Sequence, residues 1–200
     1  MTKEVSIELE KIPEQMEAIK MQGIKYLNQS STIQDGAINI LYRPWIAQMN
    51  WGITLFQGAD KNWFSDFFQK TNKVVPDFYM EFLELINGFF IYDMSLYGLT
   101  PSIYNSGLLD RENLQCHDLQ SANKDWIKEY KVSHELFHFG SRAYSEEENI
   151  GYFSDQDNII KSIRTNGEVL NQWENFSDFL KDEILEAEKI MIKEAPENIK

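Results

Sequence analysis

The stretch "VSHELFHFGSRAY", residues 132–144, has two incompatible readings. As a helix it is a metal-binding motif. His134 and His138 stand one helical turn apart, so both imidazoles reach one zinc ion at about 2.0–2.1 Å, with Glu135 as general base. As a strand it is core: Leu136 and His138 alternate with Phe137 and Phe139 in a short extended run entering Gly140. Residues four apart on a strand are separated by about 13 Å at 3.2–3.4 Å per residue, too far to share an ion in that way. The choice settles both the local fold and the chemistry.

The flanks favour the strand. Gly140 and Ser141 follow directly after the second histidine, where a helix would have to continue. Lys131 occupies a position that zinc-peptidase helices, by resemblance to that family, keep apolar. No third histidine lies downstream, and the only other one is His117. A glutamate third ligand is available from Glu146, Glu147, Glu148, Glu168 or Glu174, but none stands out. His134 and His138 are therefore set aside as metal ligands, and no metal, cofactor or catalytic residue is expected.

Composition narrows the class. Over 200 residues, 42% are hydrophobic and 14% aromatic, enough for one domain with a substantial core. The net charge of -13 argues against a broad nucleic-acid or anionic-membrane surface. It suits a basic partner, and equally a protein kept soluble by its charge. The lone Cys116 excludes an intramolecular disulfide and points to a reducing compartment. The opening "MTKEVSIELEKIPEQ" lacks the apolar segment of a signal peptide, and no apolar run reaches the ~18 residues of a membrane span. A cytoplasmic protein is expected.

Moving outward from the histidines, residues 14–28 predict a helix with Met16, Ile19, Ile24 and Leu27 near one face. "QDG" at 34–36 is a turn, between or beside the β-prone runs "AINILY" and "WGITLF". Asp60 caps a helix carrying Trp63, Phe64, Phe67 and Phe68, an aromatic stripe read as core packing. In "VVPDFYMEFLELINGFF", Pro76 fits the first helical position, and Phe78, Phe82 and Leu85 or Ile86 form the apolar face. Asn87-Gly88 supplies a left-handed stop. "FFIYDMSLYG" reads as one buried strand ending at Gly98. Residues 110–130 predict a helix capped by Asp110, burying Leu114, Trp126, Ile127 and Tyr130. On that helix Cys116 and His117 are neighbours that do not face one another, so they form no nucleophile pair. "NIGYFSD" and "NIIKSIRTNGEVLNQW" are strands, the latter folding back at Asn166-Gly167, which fits a type I′ turn. A last helix begins near Asn175 and buries Phe176, Leu180, Ile184, Ala187 and Met191.

The expected class is α+β: a single domain with a mixed or antiparallel sheet flanked by helices. The order of its pieces resembles the SUKH superfamily, the Smi/Knr-type domain. The matching residues are Pro76-Asp77-Phe78-Tyr79 with Phe82, Leu83, Asn87 and Gly88, followed by Leu96-Tyr97-Gly98 and Phe139-Gly140. Gly151-Tyr152-Phe153 with Asp155 come next, then Trp173 with Phe176, Phe179 and Leu180. The resemblance spans roughly 58–190. It divides the chain into an N-terminal extension packed on the core (1–57), the domain proper (58–192) and a short tail (193–200). It implies no shared catalytic residues and a protein-binding role. Bacterial members act as immunity proteins that neutralise a cognate toxin, often a nuclease, whereas fungal members regulate cell-wall synthesis through protein contacts. The resemblance thus implies a cognate protein toxin, basic in charge, as partner, with neither nucleic acid nor membrane. "SEEEN" at 145–149 reads as a solvated turn or as part of an electronegative face meeting that toxin. The candidate contacts are Glu146, Glu147, Glu148, Asp155, Asp157 and Asp93. A regulatory scaffold of the same fold and a zinc hydrolase built on His134 and His138 are the alternatives.

Overall fold

The computed structural model describes residues 2–43, 46, 50–100, 116–145 and 148–194. Its nine strands form one sheet whose spatial order repeats the sequence order, each strand antiparallel to the next. They are β1 (Thr32–Gln34), β2 (Ala37–Tyr42), β3 (Trp51–Gln57), β4 (Ile86–Ile91), β5 (Met94–Leu96), β6 (Phe137–Ala143), β7 (Asn149–Ser154), β8 (Ile160–Arg164) and β9 (Val169–Trp173). The helices are α1 (Thr2–Glu10), α2 (Glu17–Tyr26), α3 (Lys61–Thr71), α4 (Asp77–Leu85), α5 (Leu119–Lys124) and α6 (Phe176–Glu194). The class is α+β in a single domain. No helix among the described residues is long and apolar enough to cross a membrane.

Between its exposed edge strands β1 and β9, the sheet is largely buried on both faces. Phe89, Ile91, Met94 and Leu96 face the main core, where Phe176 of α6 meets Tyr79 and Phe82 of α4 and Phe179 meets Tyr152 of β7. The alternating residues Phe90 and Ser95 face the other way, toward His117, and Phe153 faces Tyr130. With both faces apolar, strand alternation disappears, and this is why "FFIYDMSLYG" looked continuous. It is two strands, β4 and β5, joined by a tight turn at Tyr92-Asp93 with Tyr92 at φ 58°.

Local rules explain most of the boundaries. Asp60 accepts the amide of Asn62 and starts α3. Pro76 is the residue before α4 and not its first member. The helix then buries Tyr79, Phe82 and Leu83, leaving Phe78 half-buried and Leu85 exposed. Tyr79 is completely buried, with its hydroxyl 2.5 Å from the Tyr97 carbonyl and 2.9 Å from the Phe139 carbonyl. Asn87 and Gly88 do not stop the helix from outside. α4 ends at Leu85, and both residues lie within β4. Gly88 does need positive φ, at +83°, and a Cβ there would meet the Leu96 carbonyl oxygen at 2.7 Å. Asn87 is a buried clip: its amide donates to Leu99 O at 2.8 Å and its carbonyl accepts Leu99 N at 2.7 Å.

Three expectations need correction. The helix expected over 110–130 is instead α5 followed by a 3-10 turn at Trp126–Glu129, and its cap is Asp118, which accepts the amides of Gln120 and Ser121. Asp110 and Leu114 lie outside the described residues. In the aromatic stripe of α3, Phe67 is buried but Phe68 is 48% exposed. At Asn166-Gly167, only Gly167 has positive φ. Gly167 N donates to Arg164 O and Arg164 N to Glu168 O, which makes a three-residue loop in place of the two-residue turn expected there. The two-residue turn with both φ positive occurs at Asp35-Gly36, inside the anticipated "QDG".

Residues 1–57 supply β1–β3 to the common sheet, and α1, unanticipated from the sequence, buries Val5 and Leu9 in the main core. Of the face expected on 14–28, Met16 and Ile19 are buried whereas Ile24 is exposed. α6 continues through Glu194, and residues 195–200 lie outside the described residues.

Candidate functional site

The two histidines of HELFH part company in space. His134 and Glu135 sit exposed in a turn before β6, and the Glu135 amide donates to Ser133 Oγ. His138 is within β6, 1% exposed, and stacks on Phe153 with ring centroids 4.4 Å apart. Its Nε2 lies 3.1 Å from Gly140 O and its Nδ1 3.4 Å from Ala122 O. Burial pushes its pKa down to about 3, against the opposing pull of those two carbonyls. A neutral ring whose nitrogens face carbonyls is a packing element. The zinc-peptidase geometry is not formed at these positions. Among the described residues no group of three His, Cys, Asp or Glu is arranged to hold a metal ion.

Around His138 the backbone is tied to α5. The His138 amide donates to Asn123 Oδ1 at 3.0 Å, and Asn123 Nδ2 donates back to His138 O at 2.8 Å. Lys73 joins this node from the α3–α4 loop, its Nζ donating to Asn123 Oδ1 at 3.2 Å and to Leu136 O at 2.7 Å. Burial lowers the Lys73 pKa to about 8, because two neutral acceptors replace bulk water around a cation.

Cys116 and His117 precede α5 and are not helical. Cys116 is buried, its thiol pushed up to about 12 mainly by desolvation, and so poor in thiolate. His117 Nδ1 instead pairs with Ser95 Oγ at 3.0 Å, a contact not foreseen from the sequence. The ring is packed by Phe90, Tyr97 and Trp126, and burial lowers its pKa. The serine is 6% exposed, so the pair reads as a satisfied interior hydrogen bond.

A second buried polar cluster joins α6 to the sheet. Arg142 Nε donates to Glu183 Oε2 at 2.8 Å, and the Tyr152 hydroxyl bonds the same carboxylate oxygen. Both members of the ion pair are nearly inaccessible, with side chains 8% and 3% exposed.

The acidic candidates do not converge. Glu146 and Glu147 lie outside the described residues. Glu148 stands just before β7 and pairs with Arg164 at 3.1 Å. Asp155 stands just after β7, pairs with Lys161 at 2.7 Å and caps its own loop by accepting the amides of Asp157 and Ile159. Burial pushes its pKa up, but Lys161 and the amides of Ile159 and Asp157 together outweigh that and leave it lowered. Six residues of strand, about 20 Å at 3.3 Å each, separate the two ends. Asp157 is exposed beside Asp155. Asp93 occupies the β4–β5 turn and is only partly exposed.

A different acidic surface is continuous. Asp77, Glu81 and Glu84 recur at i, i+4 and i+7 along α4, so they share one face, and all three are exposed. Gln15 reaches Glu81 at 3.4 Å, bringing the exposed Glu14 and Glu17 alongside. Glu84 has a long 3.7 Å contact with the exposed Lys61. Asp77 and Glu17 also sit in first helical turns, where a carboxylate favours the dipole, but Glu81 and Glu84 lie beyond that range. The spacing of these acids was visible in the sequence. The apolar face of the same helix drew the reading away from them.

A scan against models of known protein families finds no match, and a search of curated proteins finds no relative.

Proposed function

We propose that this chain is an immunity-type protein that neutralises a basic toxin, probing it with the acidic face of α4 and covering its substrate groove. The observation that carries the proposal is the exposed stripe of Asp77, Glu81 and Glu84 on a helix whose opposite face, Tyr79, Phe82 and Leu83, is locked in the main core. A rigid helix presenting same-sign charge, opposed among the described residues by the 3.7 Å contact of Lys61 with Glu84, suits electrostatic steering, which accelerates encounter and sets orientation. The net charge of -13 extends the same field. The resemblance of the 58–190 segment to SUKH domains supplies the partner class. The contact set therefore moves from the scattered Glu148, Asp155 and Asp157 to α4 and its neighbours.

The test is capture from native extract with the full chain as bait. Recovery of a large protein ending in a basic effector domain, followed by inhibition of that domain by the purified chain, supports the reading. Recovery of cell-wall synthesis factors alone would move the chain to the regulatory branch of the same resemblance. An effector that binds without losing activity would remove neutralisation.

A further inference from the structure

A chain with 32 acidic and 19 basic residues nevertheless gathers four of its lysines on one surface. A cleft of about 730 Å³ opens between the end of α3, residues 123–128 and the turn at His134. Lys70, Lys73, Lys124 and Lys128 line it, against only two carboxylates, Asp125 and Glu135. Asp125 is already engaged with Lys128 at 3.0 Å. Among the described residues Lys70, Lys73 and Lys124 have no carboxylate partner. Lys73 is the most constrained of them. Its amine is held in place by Leu136 O and Asn123 Oδ1, so its position is fixed without its charge being neutralised.

Beside this cleft, and sharing Lys73 and Val74 with it, lies an apolar slot of about 450 Å³ lined by Phe64, Phe68 and Met80. Phe68 is 48% and Val74 70% exposed, high for large apolar side chains that lie side by side. The two depressions form one surface, cationic on one side and apolar on the other. A compact phosphate would use only the first and leave the apolar slot unfilled. An extended segment alternating carboxylates with a bulky apolar side chain would use both.

We propose that this surface docks an acidic segment of a partner protein. An apolar anchor sits against Phe64, Phe68 and Val74, and carboxylates lie over Lys70, Lys73 and Lys124. The surface is opposite in sign to the α4 stripe, so it does not depend on the toxin reading and calls for a second partner or a second part of the same one. Pockets for anchor residues provide affinity, while lysine–carboxylate pairs select by charge.

The experiment is an NMR titration of the isotope-labelled full chain with a synthetic peptide of alternating glutamate and leucine. The controls are the same peptide with serine for leucine, and inorganic tripolyphosphate. The expected result is saturable shifts at Lys73, Val74 and Lys124, with binding about tenfold weaker for the serine peptide. Binding should also be at least tenfold weaker for Val74→Asp and for the Lys70→Glu/Lys124→Glu pair, both surface changes that leave the thermal midpoint in place. Equal binding of tripolyphosphate or of the serine peptide overturns the proposal in favour of a simple anion site. Shifts elsewhere, or no saturable shift, overturn it outright.

Discussion

His138 shows how one residue type changes meaning with its backbone. The same imidazole that a helix would aim at zinc is, on β6, stacked on Phe153 and closed in by two carbonyls. Its folded pKa of about 3 lies below the ordinary value of 6.5, so the unfolded chain binds the extra proton between those limits. Stability is full above pH 6.5 and falls as pH drops through the window, by up to about 1.4 kcal/mol per pH unit. His117, also lowered, acts in the same direction. Between pH 6.5 and 5, above the carboxylate range, urea unfolding of the parent should therefore lose stability with acid. His138→Gln should show a distinctly flatter slope whatever its absolute stability. Equal slopes would assign the acid sensitivity elsewhere. The sequence made the choice at 132–144 legible through Gly140 and Ser141, because a glycine and a serine there suit strand continuation better than a helix. It could not show what covers the ring. Asn123, Ala122 and Phe153 come from distant positions, and no periodicity encodes such a meeting.

At the scale of elements, the features most legible in the sequence were those signalled by local chemistry. Asp60 caps its helix as read, accepting Asn62 N at 2.8 Å, and the last helix begins near Asn175 as read, where the Asn175 side chain accepts Asp178 N at 2.9 Å. The β4–β5 hairpin was hidden because both of its faces are buried, and α1 because its acidic surface masks the two apolar residues, Val5 and Leu9, that anchor it. The Arg142–Glu183–Tyr152 cluster was also illegible, since a glutamate on a helix otherwise rich in exposed charge carries no mark of burial. Here α6 is fastened to β6 and β7 by an ion pair out of water, which makes the pieces interdependent. Glu183→Ala alone leaves a buried guanidinium without a counter-charge and should cost about 3–5 kcal/mol. The combined Arg142→Met, Tyr152→Phe, Glu183→Leu variant removes all three polar groups and should cost much less. Chemical denaturation of both, with unchanged m-values, measures the difference. A triple variant no more stable than Glu183→Ala would show that the loss comes from packing and not from charge.

For the whole molecule, charge is organised by surface and not by segment. Acids project from α4 and the Glu14–Glu17 turn, while lysines collect at the end of α3 and around α5. Composition disclosed the total but not this partition, which arises only when the chain folds back on itself. Asp77→Asn, Glu81→Gln and Glu84→Gln together should slow association with a basic toxin about tenfold or more at low salt and flatten its dependence on ionic strength. Thermal stability should change little, since these side chains are exposed. Stopped-flow binding across a salt series measures this, and an unchanged salt slope would remove α4 from the interface.

The sheet itself has a consequence for synthesis on the ribosome. Because each strand pairs with the one translated just before it, hairpins can close in order as the chain emerges, without waiting for distant partners. The last of the helices that cover the main apolar face is α6. It is tied back to α2 by Lys25–Glu188 and Tyr26–Glu188, at 2.9 Å and 2.6 Å, across more than 160 residues of sequence. Until α6 is released, the part of the main core that Phe176, Phe179, Leu180 and Ile184 fill stays open, even with α1, α2 and α4 in place. A pause or premature stop before Phe176 leaves that surface open, and it is the last helix that turns an adhesive intermediate into a finished molecule.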